Sequence, residues 1–227
     1  MNKNIYVVIT AAGVGNRMGY NIPKQFIYTN EYIFVTTIKK FINFNIKKII
    51  LVISKEWEDF VSKILLEKKL MKYVDIVYGG ETADESRWNS LLYLKSKYNC
   101  DNDIIIFHDA VRPNTSYEII ENAIKLCIEY DAAIPTIICK DSMCLLENGK
   151  ISYIDNKNKI RLQTPQSFIF NKIYLAYSNI KKSNEEWLGS PILNYLKFFN
   201  NVITFEGEEI NFKITTKDDL ELYKKIQ

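Results

Sequence analysis

The segment VVITAAGVGNRMGYNIPKQF, residues 7–26, joins an apolar run to a loop of small residues. Residues 5–10 are apolar and rich in β-branched side chains, which is typical of a strand buried in a parallel sheet. In the loop, small side chains let the backbone approach a ligand closely, and Gly15 can adopt a positive φ. Backbone N–H groups at such a turn bind anions. Because Arg17 and Lys24 add two cations, the segment predicts a polyphosphate site.

The alternation of strand and helix continues to residue 138. Short apolar runs predict further strands at 47–54, 74–79, 103–110 and 132–138. Helical spacing of apolar residues predicts helices at 31–43, 56–70, 85–98 and 116–130. This order predicts an α/β fold with a doubly wound, mostly parallel sheet. Since ligands bind beyond the carboxyl ends of such strands, we expect the site in the loops after residues 10, 79 and 107.

The pattern changes after residue 138. Residues 144–154 predict a β-hairpin whose Asn148-Gly149 pair suits a type I′ turn. Two strands alone are marginally stable in water, so we expect this β-arm, at about 139–160, to pack on a second copy of the chain and form a homodimer. The rest is predicted as a loop at 163–168, a helix near 171–181, a further helix, a strand at 201–205 and a helix at 217–226.

The composition excludes several classes of protein. A chain of 227 residues fits one domain spanning 1–227 together with the arm. The net charge of +3 is small and the lysines are scattered, so we expect no nucleic-acid partner. Four cysteines without a CxxC pair, beside the single histidine His108, do not predict a zinc site. No apolar run approaches the roughly 20 residues of a membrane span, so we expect a cytoplasmic protein with no membrane partner.

Five motifs together resemble a known family. They are G-x-G-x-R-M-G at 13–19 followed by P-K-Q-F at 23–26, Gly79-Gly80 with Ser86, HDAVRP at 108–113, QTPQSF at 163–168, and NFKITTKDDL at 211–220. In this order they resemble the CTP-dependent polyol-phosphate cytidylyltransferases, which have a Rossmann-like nucleotidyltransferase fold. Two sister groups fit: ribitol-5-phosphate cytidylyltransferases of teichoic acid and surface polysaccharide synthesis, and 2-C-methyl-D-erythritol 4-phosphate cytidylyltransferases of isoprenoid biosynthesis.

The resemblance implies an enzyme that transfers CMP from CTP to a polyol phosphate, with Mg²⁺, and releases pyrophosphate. It implies Arg17, Lys24 and Lys213 as catalytic cations, with Lys213 on a predicted strand between two packed neighbours. Asp109 would contact nucleotide and substrate and hold Mg²⁺. The implied nucleotide-binding residues are Ala11, Ala12, Gly13, Gly15, Gly80, Ser86, Asp109 and Ala110, of which Gly80 and Ser86 resemble the pair that contacts the cytosine base. His108 is interpreted as a core or supporting residue, because the displacement needs no general base.

The residues predicted to bind the acceptor phosphate match the family less completely than the nucleotide-binding residues do. The resemblance implies Arg112 and Ser142 there, with Arg112 either a phosphate ligand or a partner of a nearby carboxylate. Lys157 or, in an ungapped count, Asn156 stands where the family has an arginine. The family also has an arginine at Ala83 and tends to show Thr-Asp-Ala in place of residues 189–191.

These departures leave the acceptor open. The sequence favours ribitol-5-phosphate or a related alditol phosphate, with 2-C-methyl-D-erythritol 4-phosphate as the alternative. A catalytically silent nucleotide-binding protein and a sugar-1-phosphate nucleotidyltransferase using UTP or GTP are alternatives of other kinds. The four charged residues Arg17, Lys24, Asp109 and Lys213 favour a working enzyme over a silent one.

Overall fold

The strands follow the predicted alternation. The computed structural model describes residues 3–13, 22–154 and 157–227, so Gly15, Arg17 and Asn156 lie outside the described residues. The strands are β1 (Ile5–Thr10), β2 (Lys48–Ile53), β3 (Val74–Tyr78), β4 (Ile104–Asp109), β5 (Ala132–Ile138), β6 (Cys144–Glu147), β7 (Lys150–Tyr153), β8 (Ile160–Leu162), β9 (Gln166–Ile169) and β10 (Ile203–Glu206). The helices are α1 (Ile33–Ile42), α2 (Glu58–Glu67), α3 (Ala83–Lys97), α4 (Tyr117–Tyr130), α5 (Phe170–Ser183), α6 (Pro191–Leu196) and α7 (Lys217–Lys225).

Within the described residues, eight strands form one sheet in the order β10-β5-β9-β4-β1-β2-β3, with β8 paired to β5. Strands β1 to β4 pair in parallel, as do β5 and β10, while β9 runs antiparallel between β4 and β5. The sheet is therefore mostly parallel, as predicted. The carboxyl ends of β1, β2, β3 and β4 meet at one edge, where the site was expected.

Helices cover both faces of the sheet. Along β1, Val7 and Ile9 belong to one apolar cluster, with side chains from α1, α2 and α4. Tyr6 and Val8 belong to the opposite cluster, with side chains from α3, α5 and α6. Successive residues of a strand point to opposite faces, so a strand buried on both sides is apolar throughout. This is why the strand predictions succeeded best for the central strands.

The segment QTPQSF, predicted as a loop, contains an additional strand. Residues 166–169 form β9 and are all buried between β4 and β5. The preceding residues 160–162 form β8, antiparallel to the outer half of β5. The loop prediction was wrong here because Gln166 and Ser167 are polar residues buried inside a sheet, where apolar side chains are the usual indication of a strand.

The predicted hairpin is present. β6 and β7 pair antiparallel in a separate two-stranded sheet. Asn148 and Gly149 both have positive φ, 50° and 76°, as a type I′ turn requires. The apolar side chains Leu146, Ile151 and Tyr153 are exposed, Tyr153 by 84%. The packing of this arm on a second copy remains a prediction.

None of the helices in the described ranges is both long enough and apolar enough to span a membrane.

Candidate active site

A cavity of about 630 Å³ opens at the carboxyl ends of β1 to β4. Its walls come from the loops after β1, β2 and β3, the start of α3, the end of β4 and the segment before α7. The described residues that line it are Thr10, Ala11, Ala12, Gly13, Lys24, Gln25, Ser54, Gly80, Glu81, Thr82, Ala83, Ser86, Arg87, Asp109, Val111 and Lys213. Segments more than 200 residues apart in the chain thus meet at the edge of the sheet that was predicted.

The loop after β1 is held by its carbonyl groups. The buried Gln25 amide donates to the Ala11 carbonyl at 2.6 Å and to the Gly13 carbonyl at 2.8 Å. Ser54 Oγ donates to the Ala12 carbonyl at 2.9 Å. In a planar trans peptide the C=O and the next N–H point in opposite directions. The N–H groups of Ala12 and Gly13 therefore point away from these donors, as an anion site needs.

The loop after β3 approaches the first loop closely. A Cβ on Gly79 would lie 2.6 Å from Ala12 Cβ and 2.7 Å from Ser86 Oγ, so only glycine fits. The Gly80 N–H donates to Ser86 Oγ at 3.1 Å. Thr82 caps α3 in a capping box with Glu85, which fixes where the helix begins. The residues predicted to contact the base are thereby set beside those predicted to contact the phosphates.

Asp109, at the end of β4, is the charged centre of the cavity. Its carboxylate binds Lys213 Nζ at 3.1 Å and Arg112 Nε at 3.0 Å. Burial alone would raise the pKa of Asp109, but the positive charges of Lys213, Arg112 and Arg87 outweigh it and hold the pKa well below its usual range. Asp109 is therefore ionised at any physiological pH.

His108 has a supporting role. It is 1% exposed, and its Nε2 lies 3.1 Å from the Arg112 carbonyl, which can only accept. Nε2 therefore carries the proton, and Nδ1 accepts from the Thr164 hydroxyl at 3.2 Å. Thr164 Oγ1 in turn accepts the Asp109 N–H at 3.2 Å. The neutral imidazole thus joins Arg112, Thr164 and Asp109, in line with the interpretation from sequence.

The burial of His108 predicts a dependence of stability on pH. Burial lowers its pKa from 6.5 to about 4. Between these values the unfolded chain takes up a proton that the folded chain does not, so stability is full above pH 6.5 and falls as the pH drops toward 4. From pH 7 to pH 5 we expect this residue to lower the free energy of unfolding by about 2 kcal/mol. Urea unfolding at both pH values measures the loss, which His108→Gln should largely remove. An equal loss in both proteins would contradict the prediction.

Most of the sequence-predicted site residues of the described ranges meet in the cavity. Those that line it are Ala11, Ala12, Gly13, Lys24, Gly80, Ser86, Asp109 and Lys213. Ala110 is buried behind it, with its N–H donating to Thr10 and its carbonyl accepting from Thr37. Gly15 and Arg17 lie outside the described residues.

Of the four residues predicted to bind the substrate, Asp109 lines the cavity, whereas Arg112, Ser142 and Lys157 are not among the described residues that line it. Arg112 Nε binds the Asp109 carboxylate, and Arg112 Nη1 donates to the Asn211 carbonyl at 2.7 Å. Of the two roles predicted for Arg112, phosphate ligand or partner of a carboxylate, the structure therefore shows the second. Ser142 and Lys157 are exposed, just before and after the hairpin. In a single copy of the chain, therefore, these two arm residues do not contribute to the described lining of the cavity.

Lys213 reaches the cavity, but the strand predicted around it is not formed. Residues 212–215 have no ladder of strand hydrogen bonds; the Ile214 N–H donates to the Val111 carbonyl at 3.0 Å. Ile214 is nevertheless buried, while the Lys213 side chain is 42% exposed. The alternation in sequence thus predicted correctly that Lys213 points away from its buried neighbour, but the predicted strand is a segment without strand pairing.

Two buried polar residues that line the cavity, Gln25 and Arg87, were not assigned from sequence. Gln25 is part of the P-K-Q-F motif, yet its role depends on carbonyl groups 12 and 14 residues earlier. Arg87 lines the cavity from α3, one helical turn after Ala83. In the sequence, Gln25 and Arg87 are polar residues at positions where a packed turn or helix usually has an apolar side chain, and this was the one indication of a special role for them.

The comparisons with known proteins agree with this geometry. A family profile described as "IspD: 2-C-methyl-D-erythritol 4-phosphate cytidylyltransferase" matches residues 5–226. A protein of Clostridium botulinum named 2-C-methyl-D-erythritol 4-phosphate cytidylyltransferase is 37% identical over 95% of this chain and 96% of its own. A protein of Lacticaseibacillus paracasei named ribitol-5-phosphate cytidylyltransferase is 29% identical over 97% and 96%.

Solved structures agree as well. The 2-C-methyl-D-erythritol 4-phosphate cytidylyltransferase of Francisella tularensis has a TM-score of 0.81 at 27% identity, over 97% of this chain and 98% of that one. The 4-diphosphocytidyl-2C-methyl-D-erythritol synthase of Anaerococcus prevotii has a TM-score of 0.80 at 26% identity, over 99% and 98%. The comparisons favour the methylerythritol alternative over the ribitol phosphate that the sequence favoured. The chain belongs to the family of 2-C-methyl-D-erythritol 4-phosphate cytidylyltransferases and is a nucleotidyltransferase that uses CTP.

Proposed function

We propose that this protein transfers CMP from CTP to 2-C-methyl-D-erythritol 4-phosphate and releases pyrophosphate. The observation that carries the proposal is the meeting of the 11–13 loop, Lys24 and Lys213 with the Asp109 carboxylate in one cavity. The match of the family profile over residues 5–226 supports the choice of acceptor.

In the proposed reaction a phosphate oxygen of the acceptor attacks the α-phosphorus of CTP. A new P–O bond forms, the bond from the α-phosphorus to the bridging β-phosphate oxygen breaks, and pyrophosphate leaves with that electron pair. Negative charge grows on the phosphates in the transition state, so cations and N–H groups fixed in advance lower the barrier. The N–H groups of Ala12 and Gly13, with Lys24 and Lys213, would supply them, and Arg17 would add a further cation.

Mg²⁺ fits the Asp109 position. In nucleotide sites Mg²⁺ commonly binds one or two carboxylates together with substrate phosphates. Asp109 offers an ionised carboxylate, and the described residues contain no group of three or more metal-ligating side chains that would form a closed site. When bound, the ion would neutralise charge on the triphosphate. Asp109 would hold it, and Lys213, whose Nζ lies 3.1 Å from Asp109 Oδ1, would contact the phosphates from the same side of the cavity.

The experiment that tests the proposal measures pyrophosphate release from CTP and Mg²⁺ with each candidate acceptor. We expect turnover with 2-C-methyl-D-erythritol 4-phosphate, at a kcat/KM about tenfold or more above that with ribitol-5-phosphate. The reverse order would favour the second candidate, which the 29% identical relative named for ribitol-5-phosphate supports. Tight CTP binding without release from any acceptor would instead indicate a nucleotide-binding protein.

We also propose that the β6–β7 arm joins two copies of the chain. The exposed Leu146, Ile151 and Tyr153 give it an apolar surface that a partner would cover. Such a dimer would bring Ser142 and Lys157 of one copy toward the cavity of the other. Deleting residues 146–150 should convert the dimer to monomer and lower the activity, as followed by light scattering and pyrophosphate release. A shortened protein that stays dimeric and fully active would contradict this role for the arm.

A further inference from the structure

Arg87 is a buried charge in the cavity for which the proposed chemistry has given no role. Its side chain is 9% exposed and lines the cavity from α3. Arginine is rarely buried to this extent unless it is paired or binds a ligand. We propose that Arg87 binds the cytidine half of CTP, donating to oxygen acceptors of the base or ribose; this inference rests on the proposed function.

Arg87 is held in place by a buried network. Its Nη1 donates to Asp84 Oδ1 at 2.8 Å and to the Gly189 carbonyl at 3.3 Å. Asp84 also accepts from the Tyr177 hydroxyl at 2.8 Å, from Asn194 Nδ2 at 3.0 Å and from the Gly189 N–H at 2.8 Å. Groups from α3, α5, α6 and the loop before α6 therefore fix one end of the guanidinium.

The other end of the guanidinium has donors to spare. A guanidinium carries five N–H donors, and the two on Nη1 are engaged by Asp84 and Gly189. In the part of the chain that the structure describes, the three on Nε and Nη2 have no protein acceptor. Leaving charged donors unmatched in a buried position is costly, so an acceptor from the ligand is the natural partner. The network thus presents three fixed donors to the occupant of the cavity.

The position of Arg87 indicates which part of CTP it meets. It follows Ser86 on α3, beside the Gly80 backbone, whereas Lys24 lines the cavity next to Gln25, which donates to the Gly13 carbonyl of the first loop. On its other side Arg87 is close enough to Asp109 for its charge to help keep that carboxylate ionised. It therefore lies between the predicted base-binding loop and the end of β4. With the phosphates against the first loop, the base and ribose are the oxygen-bearing groups in this region.

The test compares ligands that share the nucleoside with one that lacks it. Titration calorimetry of the wild-type protein and of Arg87→Met with CMP, CTP and pyrophosphate separates the two halves of the substrate. Loss of a charge-assisted hydrogen bond should weaken CMP and CTP binding by a similar factor, about tenfold to a hundredfold, and leave pyrophosphate binding unchanged. Unchanged CMP binding, or a loss confined to CTP and pyrophosphate, would overturn the assignment.

A second variant separates binding from folding. Arg87→Met alone leaves Asp84 without its cation, which can destabilise the protein. The double variant Asp84→Asn with Arg87→Met removes both charges and keeps an amide that Tyr177 can still reach. We expect it to recover melting temperature relative to Arg87→Met while CMP binding stays weak. Recovery of both would mean that Arg87 only balances Asp84 and would overturn the inference.

These titrations, together with the pyrophosphate-release assay, distinguish failure of the inference from failure of the proposed function. Wild-type protein that binds CMP and releases pyrophosphate from CTP supports the function whatever Arg87→Met does. If that variant then binds CMP as well as the wild type, the inference alone is wrong. If the wild type binds neither CMP nor CTP, both are wrong.

Discussion

Replacing Lys24 with alanine should lower kcat/KM for CTP by about a hundredfold to a thousandfold. The half-buried Lys24 lies in the cavity beside Gln25, whose amide holds the first loop. An ammonium fixed near the triphosphate stabilises charge that grows in the transition state, and removing one such group from an enzyme typically has an effect of this size. The free energy of unfolding should change little, because a loop cation that is partly exposed contributes little to stability.

The control for this prediction is Lys55→Ala. Lys55 follows β2, the strand next to β1, but it is exposed and is not among the described residues that line the cavity. It has the same side chain and also lies after a central strand, so its replacement measures the effect on the rate of losing one positive charge near the site. Pyrophosphate release measured for both variants should fall only for Lys24→Ala. A Lys24→Ala enzyme with the wild-type rate would refute the assigned role.

The central part of the fold was predictable because of how its strands are buried. Strands β1, β2 and β4 are apolar along nearly their whole length, since helices cover both faces, and their predicted bounds agree with the structure to within a residue or so. The order of strands in the sheet was not predictable. Pairing between β4 and β9 joins residues about 60 positions apart, and nothing local to either segment specifies it.

The site was predictable where the chemistry depends on residues close together in sequence. The small-residue loop, Lys24 and Asp109 all follow strand ends, and their residue types suit phosphate or metal binding. Gln25 and Arg87 were not assigned, because their roles arise from hydrogen bonds that only the folded chain makes. The bond from Asn194 to Asp84, which helps to fix Arg87, spans 110 residues.

Asparagine in place of Asp109 should affect both stability and rate. The carboxylate is buried and pairs with Arg112 and Lys213, so its neutralisation leaves two cations without their anion. Breaking a buried ion pair in this way typically costs about 3–5 kcal/mol, which corresponds to a fall in melting temperature of about 10 °C for a chain of this size. If Asp109 also contacts Mg²⁺ and substrate, kcat/KM measured well below the melting temperature should fall by about a hundredfold or more.

The matched control is Asp75→Asn, because Asp75 has similar partners at a distance from the cavity. It binds Lys48 and Lys97 and accepts from two tyrosine hydroxyls, and although burial opposes ionisation these groups lower its pKa to about 2. Asp75→Asn should therefore lose stability while its kcat/KM stays near that of the wild type. If Asp109→Asn behaved in the same way, with wild-type turnover in the folded protein, then Asp109 would serve only as a counter-ion that holds Arg112 and Lys213. The metal and substrate roles would then have to lie with other residues. In the described part of the cavity, the one further carboxylate is that of Glu81, on an exposed turn.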